Sequence, residues 1–208
     1  MLQVSILFIM SNQIIKEVLE YIDIYLIDQI LKERYNQNDV ILDAGCGSGR
    51  NLKWFYNNQF TFYGVDNDSE RLEIAKELYL LKRENFLQAN IEKLPFEAEM
   101  FHHIICNAVL HFTKNTAHFE LMFAELIRVL KPKATLFIRM TSDIGIEKLV
   151  EPISNGIYKL PDETERFLLT RTLIKKMVKT HRLSFLEPIK TVNVEDKRCM
   201  TTLILLKM

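Results

Sequence analysis

The chain is poor in cysteine, has no excess of charge of either sign, and lacks a hydrophobic run long enough to cross a membrane as a helix. Its three cysteines, Cys46, Cys106 and Cys199, have no paired spacing, which argues against a disulfide framework and against a metal site. We therefore expect a reducing compartment, the cytoplasm. The 27 basic residues balance the 27 acidic ones. This balance argues against nucleic acid as the main partner, because phosphate binding normally requires a strongly basic domain or patch.

Apolar residues dominate the first ten positions, without a basic flank. This run is shorter than a spanning helix and lacks the pattern of a signal peptide, so we expect no membrane association. Two interpretations stay open. Either residues 1–10 are a terminal segment that packs on the surface or moves freely, or Met10 is the natural start and the first nine residues come from upstream sequence.

A chain of 208 residues is long enough for one α/β domain with a sizeable core. No internal repeat or linker divides it, so we predict a single domain over residues 1–208. Strands alternate with helices, which is the pattern of a parallel sheet with right-handed crossovers. The strands are predicted at 40–43, 61–65, 85–89, 101–106 and 135–139, and the helices at 50–56, at 69–81 with Ser69 as N-cap, and at 115–130.

Three further parts surround this alternating core, which covers residues 40–140. Apolar residues at helical spacing predict an N-terminal helix over 13–35. The segment over 144–182 is predicted to form a lid or acceptor region. It contains a hairpin at 157–160 and 166–169 and a basic amphipathic helix at 172–180, whose charged face we expect to be solvated. The segment over 183–208 is predicted to form an antiparallel pair of strands at 185–194 and 200–206.

The most informative stretch is residues 40–51, with the sequence VILDAGCGSGRN. The end of a buried strand is followed by Gly45, Gly47 and Gly49, and a helix is predicted to begin at Arg50. Glycine adopts positive φ easily and lets a ligand approach the backbone closely. The first N–H groups of a helix have no partner within the helix and point at whatever lies over the loop. This is a nucleotide-type binding loop, although the glycines alone also fit a nicotinamide or flavin site.

Three polar residues narrow the choice of nucleotide. Asp43 precedes the glycines, where a carboxylate suits a cationic or hydroxyl-rich group and would repel a pyrophosphate. Asp66 ends the second strand, where an acid hydrogen-bonds ribose hydroxyls. Asn90 follows the third strand, where an amide can pair with the edge of an adenine. All three lie at the carboxyl ends of strands, where open parallel sheets bind their ligands.

These features resemble the class I S-adenosylmethionine-dependent methyltransferases. FYGVD at 62–66 is similar to their second motif, and QANIEKLPF at 88–96 is similar to the segment that contacts adenine. FHHIICNAVLHF at 101–112 resembles their fourth strand and the loop that faces the methyl acceptor, and LIRVLKP at 126–132 resembles the helix end before their fifth strand. The resemblance covers residues 13–140 and is greatest to the small, single-domain bacterial type that acts on small molecules.

The resemblance implies a Rossmann-like, doubly wound α/β fold with a mainly parallel sheet of seven strands and an antiparallel C-terminal strand. It implies S-adenosyl-L-methionine as the cofactor. The glycine loop would hold the amino-acid part, the second strand end the ribose, the third strand end the adenine, and the fourth strand end would lie near the sulfonium. The full predicted cofactor set is Asp43, Gly45, Cys46, Gly47, Arg50, Asn51, Asp66, Asn67, Asn90, Ile91, Asn107 and Ala108.

The chain departs from the family pattern at three places. Asn90 stands where most members have an acid, and an amide can still hydrogen-bond adenine. His102 stands where an acid is usual, and Lys133 and Ala134 stand where two glycines are usual. None of these departures removes the predicted cofactor site, but the turn at Lys133 is expected to differ in shape.

Methyl transfer from a sulfonium needs an aligned acceptor more than it needs a base. His111 is the candidate general base, because it follows the carboxyl end of the fourth strand. The alternative is a histidine at a helix start that packs against the cofactor or caps a backbone group. His102 and His103 lie at the opposite, amino end of that strand and are expected to be structural.

Four side chains are candidates for contact with the acceptor or the cofactor. Arg139 and Arg166 could hold an anionic acceptor as bidentate donors, or could pair within the protein. Tyr21 and Tyr25 could cover the cofactor, or could pack as ordinary helix aromatics. The loop at 106–109 lacks the Asn/Asp-Pro-Pro-aromatic sequence of methyltransferases that act on amino groups in nucleic acids and proteins. A small-molecule acceptor is therefore expected.

Three hypotheses about function stay open. The leading one is a methyltransferase for a small molecule. The second is a non-catalytic S-adenosylmethionine-binding or partner-regulating protein, suggested by the lack of an obvious base. The third is a nicotinamide-dependent enzyme, which the carboxylate of Asp43 opposes.

Overall fold

The structure, a computed structural model, describes residues 16–208. Its strands are β1 (Val40–Ala44), β2 (Thr61–Asp66), β3 (Phe86–Gln88), β4 (Phe101–Asn107), β5 (Leu130–Ser142), β6 (Glu151–Ser154), β7 (Ile157–Lys159), β8 (Glu165–Phe167), β9 (Leu183–Phe185), β10 (Lys190–Val194) and β11 (Arg198–Lys207). Its helices are α1 (Ile24–Leu31), α2 (Lys53–Asn57), α3 (Ser69–Leu78), α4 (Thr116–Val129) and α5 (Arg171–Thr180). Short 3₁₀ segments cover Arg50–Leu52, Leu80–Asn85 and Leu110–Phe112.

A central sheet of eight strands has the order β10-β11-β5-β4-β1-β2-β3, and β9 also pairs with β11. Strands β1 to β5 pair in parallel, which confirms the predicted sheet. Ile41 and Leu42 of β1 are both fully buried, yet they belong to two separate apolar clusters. Because side chains alternate along a strand, these clusters lie on opposite faces of the sheet. Helices α1 to α3 cover one face, and α4 and α5 cover the other.

The C-terminal strands confirm the expected topology, with one difference. β11 runs antiparallel to β5, β9 and β10, so it is the single reversed strand among the described strands of the central sheet. The strand predicted at 185–194 is divided into β9 and β10. The connection between them contains Pro188, which has no N–H to donate to a ladder. The sheet is thus the expected seven-stranded one, with its sixth strand interrupted.

The single helix predicted over 13–35 is wrong in the part that the structure describes. The chain is helical at 16–19, Tyr21 has a left-handed φ of 68°, and α1 begins after Asp23. The Asp23 side chain accepts a hydrogen bond from the Tyr25 N–H and so caps the new helix, which ends at Leu31. The choice between Met1 and Met10 as the natural start concerns residues outside the described range.

Two other boundaries differ from those predicted. Asp68, not Ser69, is the N-cap of α3, because its carboxylate accepts from the N–H groups of Glu70 and Arg71. β5 runs from Leu130 to Ser142, well beyond the predicted 135–139, because it pairs with β4 on one side and β11 on the other. Tertiary pairing extends this strand past its local sequence pattern.

The segment after β5 forms the predicted hairpin and helix. β7 pairs antiparallel with β8, and β6 adds a third strand to this small sheet. The small sheet docks on α4, because the Asn155 carbonyl accepts hydrogen bonds from the N–H and the hydroxyl of Thr116. α5 buries Leu173, Ile174 and Met177, which agrees with its predicted apolar face. Within residues 16–208, no helix is long and apolar enough to cross a membrane.

Candidate active site

A cavity of about 590 Å³ opens at the carboxyl ends of β1, β2, β3 and β4. This position follows from the parallel sheet, whose strand ends diverge around the glycine loop. Eleven of the twelve predicted cofactor residues line the cavity, all except Asp43. Ten further residues line it that were not predicted: Ser48, Asp68, Arg71, Ala89, Glu92, Val109, Phe112, Lys114, His118 and Met122.

The glycine loop is held tightly against its surroundings. Gly45 and Gly47 have positive φ angles of 80° and 54°, which glycine adopts without strain. A Cβ atom at Gly45 would lie 2.3 Å from Cγ2 of Val109, so only glycine fits between this loop and the loop after β4. The N–H groups of Gly45 and Cys46 donate to the Val65 carbonyl at 2.7 and 2.9 Å. The loop is thereby fixed over the end of β2.

Asp66 ends β2 and connects this strand to the glycine loop. Its carboxylate accepts hydrogen bonds from the Gly47 N–H at 2.7 Å and from the Asp68 N–H at 3.0 Å. A carboxylate offers about four acceptor positions, so Asp66 keeps about two for ligand hydroxyls. Asp66 therefore lines the cavity and can still accept hydrogen bonds from a ligand.

Asp43 lies beneath the loop, is only 1% exposed and does not line the cavity. Neither of its carboxylate oxygens has a hydrogen-bond partner within the described range. Burial raises the pKa of Asp43 to about 7, a shift that nearby Arg50 opposes and Asp66 reinforces. A buried carboxylate without a partner is costly unless a positive charge or donor satisfies it, so this position favours a cationic ligand.

Asn107 and Ala108 close the cavity at the end of β4. Asn107 is buried, and both polar atoms of its amide lack a partner among residues 16–208. Ala108 has a left-handed φ of 62°, and its N–H donates to the Arg139 carbonyl of β5 at 2.7 Å. This strained turn directs the chain away from the sheet and presents the Asn107 amide to the cavity.

The far end of the cavity combines Asn90 and Ile91 with residues of α4. Asn90 accepts a hydrogen bond from the Asn67 amide at 3.4 Å, and Ile91 is buried. His118 lies in the first turn of α4, and its Nδ1 accepts from the Lys114 N–H at 3.2 Å. The N-cap residue Asn115 marks the start of this helix in the sequence. The neighbouring sequence does not indicate which face of the first turn lines the cavity, so His118 is not predicted.

The segment before α1 is tied to the cavity by its backbone. Arg50 donates to the Tyr21 carbonyl at 3.0 Å, and the Asn51 side chain accepts from the Asp23 N–H at 3.2 Å. The Asp23 carboxylate pairs with Arg139 at 3.3 Å. The two tyrosines differ: the Arg139 guanidinium lies 5.4 Å from the centre of the Tyr25 ring, and Tyr21 is 73% exposed. Arg139 is therefore engaged within the protein, the second of the two alternatives for this residue.

His111 is buried, and it is absent from the cavity lining. Its Nδ1 accepts a hydrogen bond from the Thr141 N–H at 3.4 Å. Burial lowers the pKa of His111 to about 4, and the positive charges of Arg166 and Arg198 act in the same direction. This placement matches the packing and capping alternative. Arg166 itself lies with its guanidinium 5.3 Å from the centre of the Phe112 ring, at the edge of the cavity.

Known proteins resemble this chain in sequence and in fold. Residues 42–138 match a family model described as a methyltransferase domain. The uncharacterized methyltransferase YodH of Bacillus subtilis is 35% identical over 109 residues, which are 51% of this chain and 42% of that protein. The tRNA (carboxymethyluridine(34)-5-O)-methyltransferase of Arabidopsis thaliana is 32% identical over 106 residues, 51% of this chain and 25% of that protein. A solved SAM-dependent methyltransferase of Methanosarcina mazei superposes with a TM-score of 0.71 at 21% identity, covering 86% of this chain and 97% of that one.

Residues 42–138 therefore resemble a methyltransferase domain in sequence. The structural likeness shows that the chain has the fold of the S-adenosylmethionine-dependent methyltransferases. The cofactor that these likenesses indicate is S-adenosylmethionine. The matched segment covers less than half the length of each of the two relatives named above, 42% and 25%.

The residues of the cavity fit the indicated cofactor. S-adenosylmethionine carries an ammonium group and a sulfonium at one end, ribose hydroxyls in the middle and an adenine at the other end. Asp43 and Asn107 supply unpartnered oxygens beneath the loop and at the end of β4. Asp66 supplies acceptors in the middle, and Asn90 with Ile91 supplies an amide beside an apolar surface. The donors and acceptors thus change along the cavity as the cofactor changes along its length.

Proposed function

We propose that the chain transfers the methyl group of S-adenosylmethionine to a small-molecule acceptor by in-line displacement. One observation supports the proposal most strongly. Eleven of the predicted cofactor residues line the same cavity, where the strands end and the loops begin. Residues from four different strand ends meet there, which a glycine loop alone would not produce. The family match supports methyl transfer as the chemistry.

The proposed cofactor-binding roles change along the cavity. Gly45, Cys46 and Gly47 accommodate the amino-acid part, and the Asp43 carboxylate attracts its positive charge from below the loop. Asp66 accepts hydrogen bonds from the ribose, with Asn67 beside it. Asn90 pairs with the adenine edge, and Ile91 packs on its face. Asn107 lies near the sulfonium, and the remaining members of the set, Arg50, Asn51 and Ala108, complete the lining of the cavity.

The chain's own contribution to the reaction is alignment and exclusion of water. When bound, the cofactor supplies a methyl group that is already activated by the positive sulfur. Holding the acceptor in line with it can lower the barrier by roughly 7–11 kcal/mol. The Asn107 amide and the strained turn at Ala108 form a rigid wall at that end, since the turn is anchored to β5 through Arg139. His111 is assigned a packing role, because its ring faces Thr141.

A small-molecule acceptor is supported by the chain's charge balance and by the sequence of the loop after β4. The 27 basic and 27 acidic residues leave no net charge to attract a nucleic acid. The comparisons give no support to the non-catalytic alternative. All three cysteines are free, which supports a reducing compartment, the cytoplasm, as the location.

The test is to follow a radioactive methyl group from S-adenosylmethionine into two separate acceptor fractions. The full chain is incubated with a metabolite extract freed of macromolecules, and in parallel with total tRNA. We expect label in a small molecule and the matching release of S-adenosylhomocysteine. The Asp66→Ala variant should lose this activity, and the matched control Glu70→Ala, an exposed acid on α3, should keep it.

Two outcomes would contradict the proposal. Label in tRNA with none in the metabolite fraction would replace the small-molecule acceptor with RNA, the acceptor named for the Arabidopsis relative. Binding of S-adenosylmethionine without transfer to either fraction would favour the non-catalytic alternative.

A further inference from the structure

A second cavity, of about 280 Å³, lies at the amino ends of β1 and β4, on the edge of the sheet opposite the cofactor cavity. We name it the basic cavity. It is lined by Arg34, Asn36, Asp39, His102, His103, Pro132, Lys133, Ala134, Thr135 and Leu186. It shares no lining residue with the cofactor cavity, so a ligand bound in it would be independent of the proposed function.

The basic cavity has an excess of positive charge. Its single lining carboxylate, Asp39, is occupied by the Asn36 N–H at 2.7 Å and by His103 Nε2 at 3.0 Å. Lys133 has no ion-pair partner in the described part of the chain. Arg34 reaches Glu187 with one terminal nitrogen at 3.2 Å, while its Nε is buried without a partner within residues 16–208. Because Arg34 is paired with Glu187, Lys133 is the cation of the described lining whose charge is left to attract an anion.

His102 adds a conflict between two hydrogen-bond donors. Its Nδ1 accepts from the Val40 N–H at 2.9 Å, so the proton of the neutral ring lies on Nε2. Nε2 is 2.9 Å from Nζ of Lys131, and a lysine ammonium has three hydrogens and no lone pair. Both groups therefore present hydrogens to each other. An oxygen that accepts from both at once would resolve this contact.

The beginning of β5 places a third donor, Lys133, at the cavity in spite of backbone strain. Lys133 has a left-handed φ of 59°, a conformation that favours glycine. Both Lys133 and His102 are positions where this chain departs from the residues usual in the resembling methyltransferases, a glycine and an acid. Each departure makes the same cavity more positive, and the one at Lys133 also introduces strain. A strained residue at such a place is a reason to suspect a function.

We propose that the basic cavity binds a tetrahedral oxyanion, the phosphate group of a small metabolite or free phosphate. The oxyanion accepts hydrogen bonds from His102 Nε2 and from Lys133, and also from the ammonium of Lys131, which lies beside His102 but is not itself a lining residue. A tetrahedral anion can meet donors from several directions, which suits three groups on different parts of the turn and strand. His103 holds the cavity wall, because its ring is engaged by Asp39 and by the Thr135 hydroxyl at 2.6 Å.

The experiment is a calorimetric titration of the full chain with inorganic phosphate at constant ionic strength, with sodium chloride as the reference salt. A second arm uses glycerol 3-phosphate. We expect saturable binding of phosphate by the wild type, and tighter binding of the ester would identify a metabolite as the source. Lys133→Gly should weaken binding at least tenfold. It should also raise the melting temperature in phosphate-free buffer, because glycine relieves the left-handed strain.

A second variant and a control accompany Lys133→Gly. His102→Asn should also weaken phosphate binding. The control, Lys175→Met, removes an exposed lysine from α5 and should leave phosphate binding unchanged. Equal phosphate affinity in the wild type and in Lys133→Gly would overturn the proposal. The absence of saturable binding by the wild type would overturn it as well. Because glycine is compatible with φ of 59°, Lys133→Gly is expected to fold.

Discussion

Asp43 is the residue on which the electrostatics of the cofactor cavity depend most. It is buried, it lacks a partner within the described residues, and its pKa is raised to about 7 by burial. A cationic ligand stabilises the ionised carboxylate, so the pKa of Asp43 falls when the ligand binds. Affinity should therefore rise with pH as the free protein loses this proton.

We predict that the affinity for S-adenosylmethionine rises about tenfold between pH 6 and pH 8, since one proton is released over that interval.

The raised pKa of Asp43 has the opposite effect on the stability of the ligand-free protein, which falls as the pH rises. The folded carboxyl keeps its proton up to about pH 7 and the unfolded one only to about 3.8, so the ligand-free protein loses stability as pH rises through that window. Titration calorimetry and thermal melting across the range check both statements. Asp43→Asn should flatten both profiles, and unchanged profiles would contradict the assignment.

His111 tests whether the site contains a general base. Its Nδ1 is used by the Thr141 N–H, and the Asn side chain carries an acceptor oxygen in a similar place. We predict that His111→Asn keeps kcat within about threefold of the wild type, whereas loss of a general base lowers it by about 10²–10⁴. Steady-state kinetics with the labelled acceptor fraction provide the measurement. A loss of a hundredfold or more would restore His111 as the base.

At the scale of elements, a buried ion cluster joins α1 to the interruption between β9 and β10. Glu187, with its side chain 8% exposed, accepts from Gln29, Lys32, Arg34 and Lys190 at 2.8 to 3.2 Å. Burial alone would raise the pKa of Glu187, but these four partners outweigh it and lower the pKa to about 2. The cluster thus stabilises the fold above the carboxyl's ordinary pKa, and this stability is lost as pH falls towards 2.

We predict that Glu187→Gln lowers the free energy of unfolding at neutral pH by about 2–3 kcal/mol, because Arg34 loses its ion-pair partner and Lys32 and Lys190 keep only Asp28. Urea denaturation measures the change. The control is Glu195→Gln, whose exposed pair with Lys197 should contribute less than about 1 kcal/mol. Equal effects of the two substitutions would contradict the structural role of the cluster.

Elements with a strong local pattern are predictable from the sequence, and those that depend on distant partners are not. The predictions for β1 and α4 agree with the structure within a residue or two, because their apolar periodicity and caps lie within their own sequence. The predicted β5 is too short, because the length of this strand depends on pairing with β11, far along the chain. The break before α1 is not predicted, since Asp23 caps a helix inside a stretch whose apolar spacing continues through the break.

The same distinction applies to the cavity. Residues at strand ends could be predicted, because parallel strands bring their carboxyl ends to one edge whatever the helices do. Phe112, Lys114, His118 and Met122 could not be predicted. The placement of the first two depends on the path of the chain between β4 and α4, and that of the last two on how α4 packs against the sheet. His111 follows β4 closely in the sequence, so it is predicted to lie at the site. In the structure the 3₁₀ turn at Leu110–Phe112 buries His111 away from the cavity.

At the scale of the whole molecule, the sheet separates two regions of different charge chemistry. The carboxyl edge mixes acids with the cations Arg50, Arg71 and Lys114, and its unpartnered buried carboxylate, Asp43, suits a cofactor with a positive sulfur. The amino edge combines Arg34, His102 and Lys133, which suit an anion. The formal net charge of zero therefore conceals a local asymmetry between the two edges.

The most direct test of the assigned cofactor cavity is calorimetric titration of the full chain with S-adenosylmethionine. We predict binding of one molecule per chain. Asp66→Ala should lose about 1–3 kcal/mol of that affinity, because ribose hydrogen bonds and the contact to Gly47 are removed, while Glu70→Ala should bind as the wild type does. Absence of binding to S-adenosylmethionine, with NADH binding in its place, would contradict the assignment and revive the nicotinamide hypothesis.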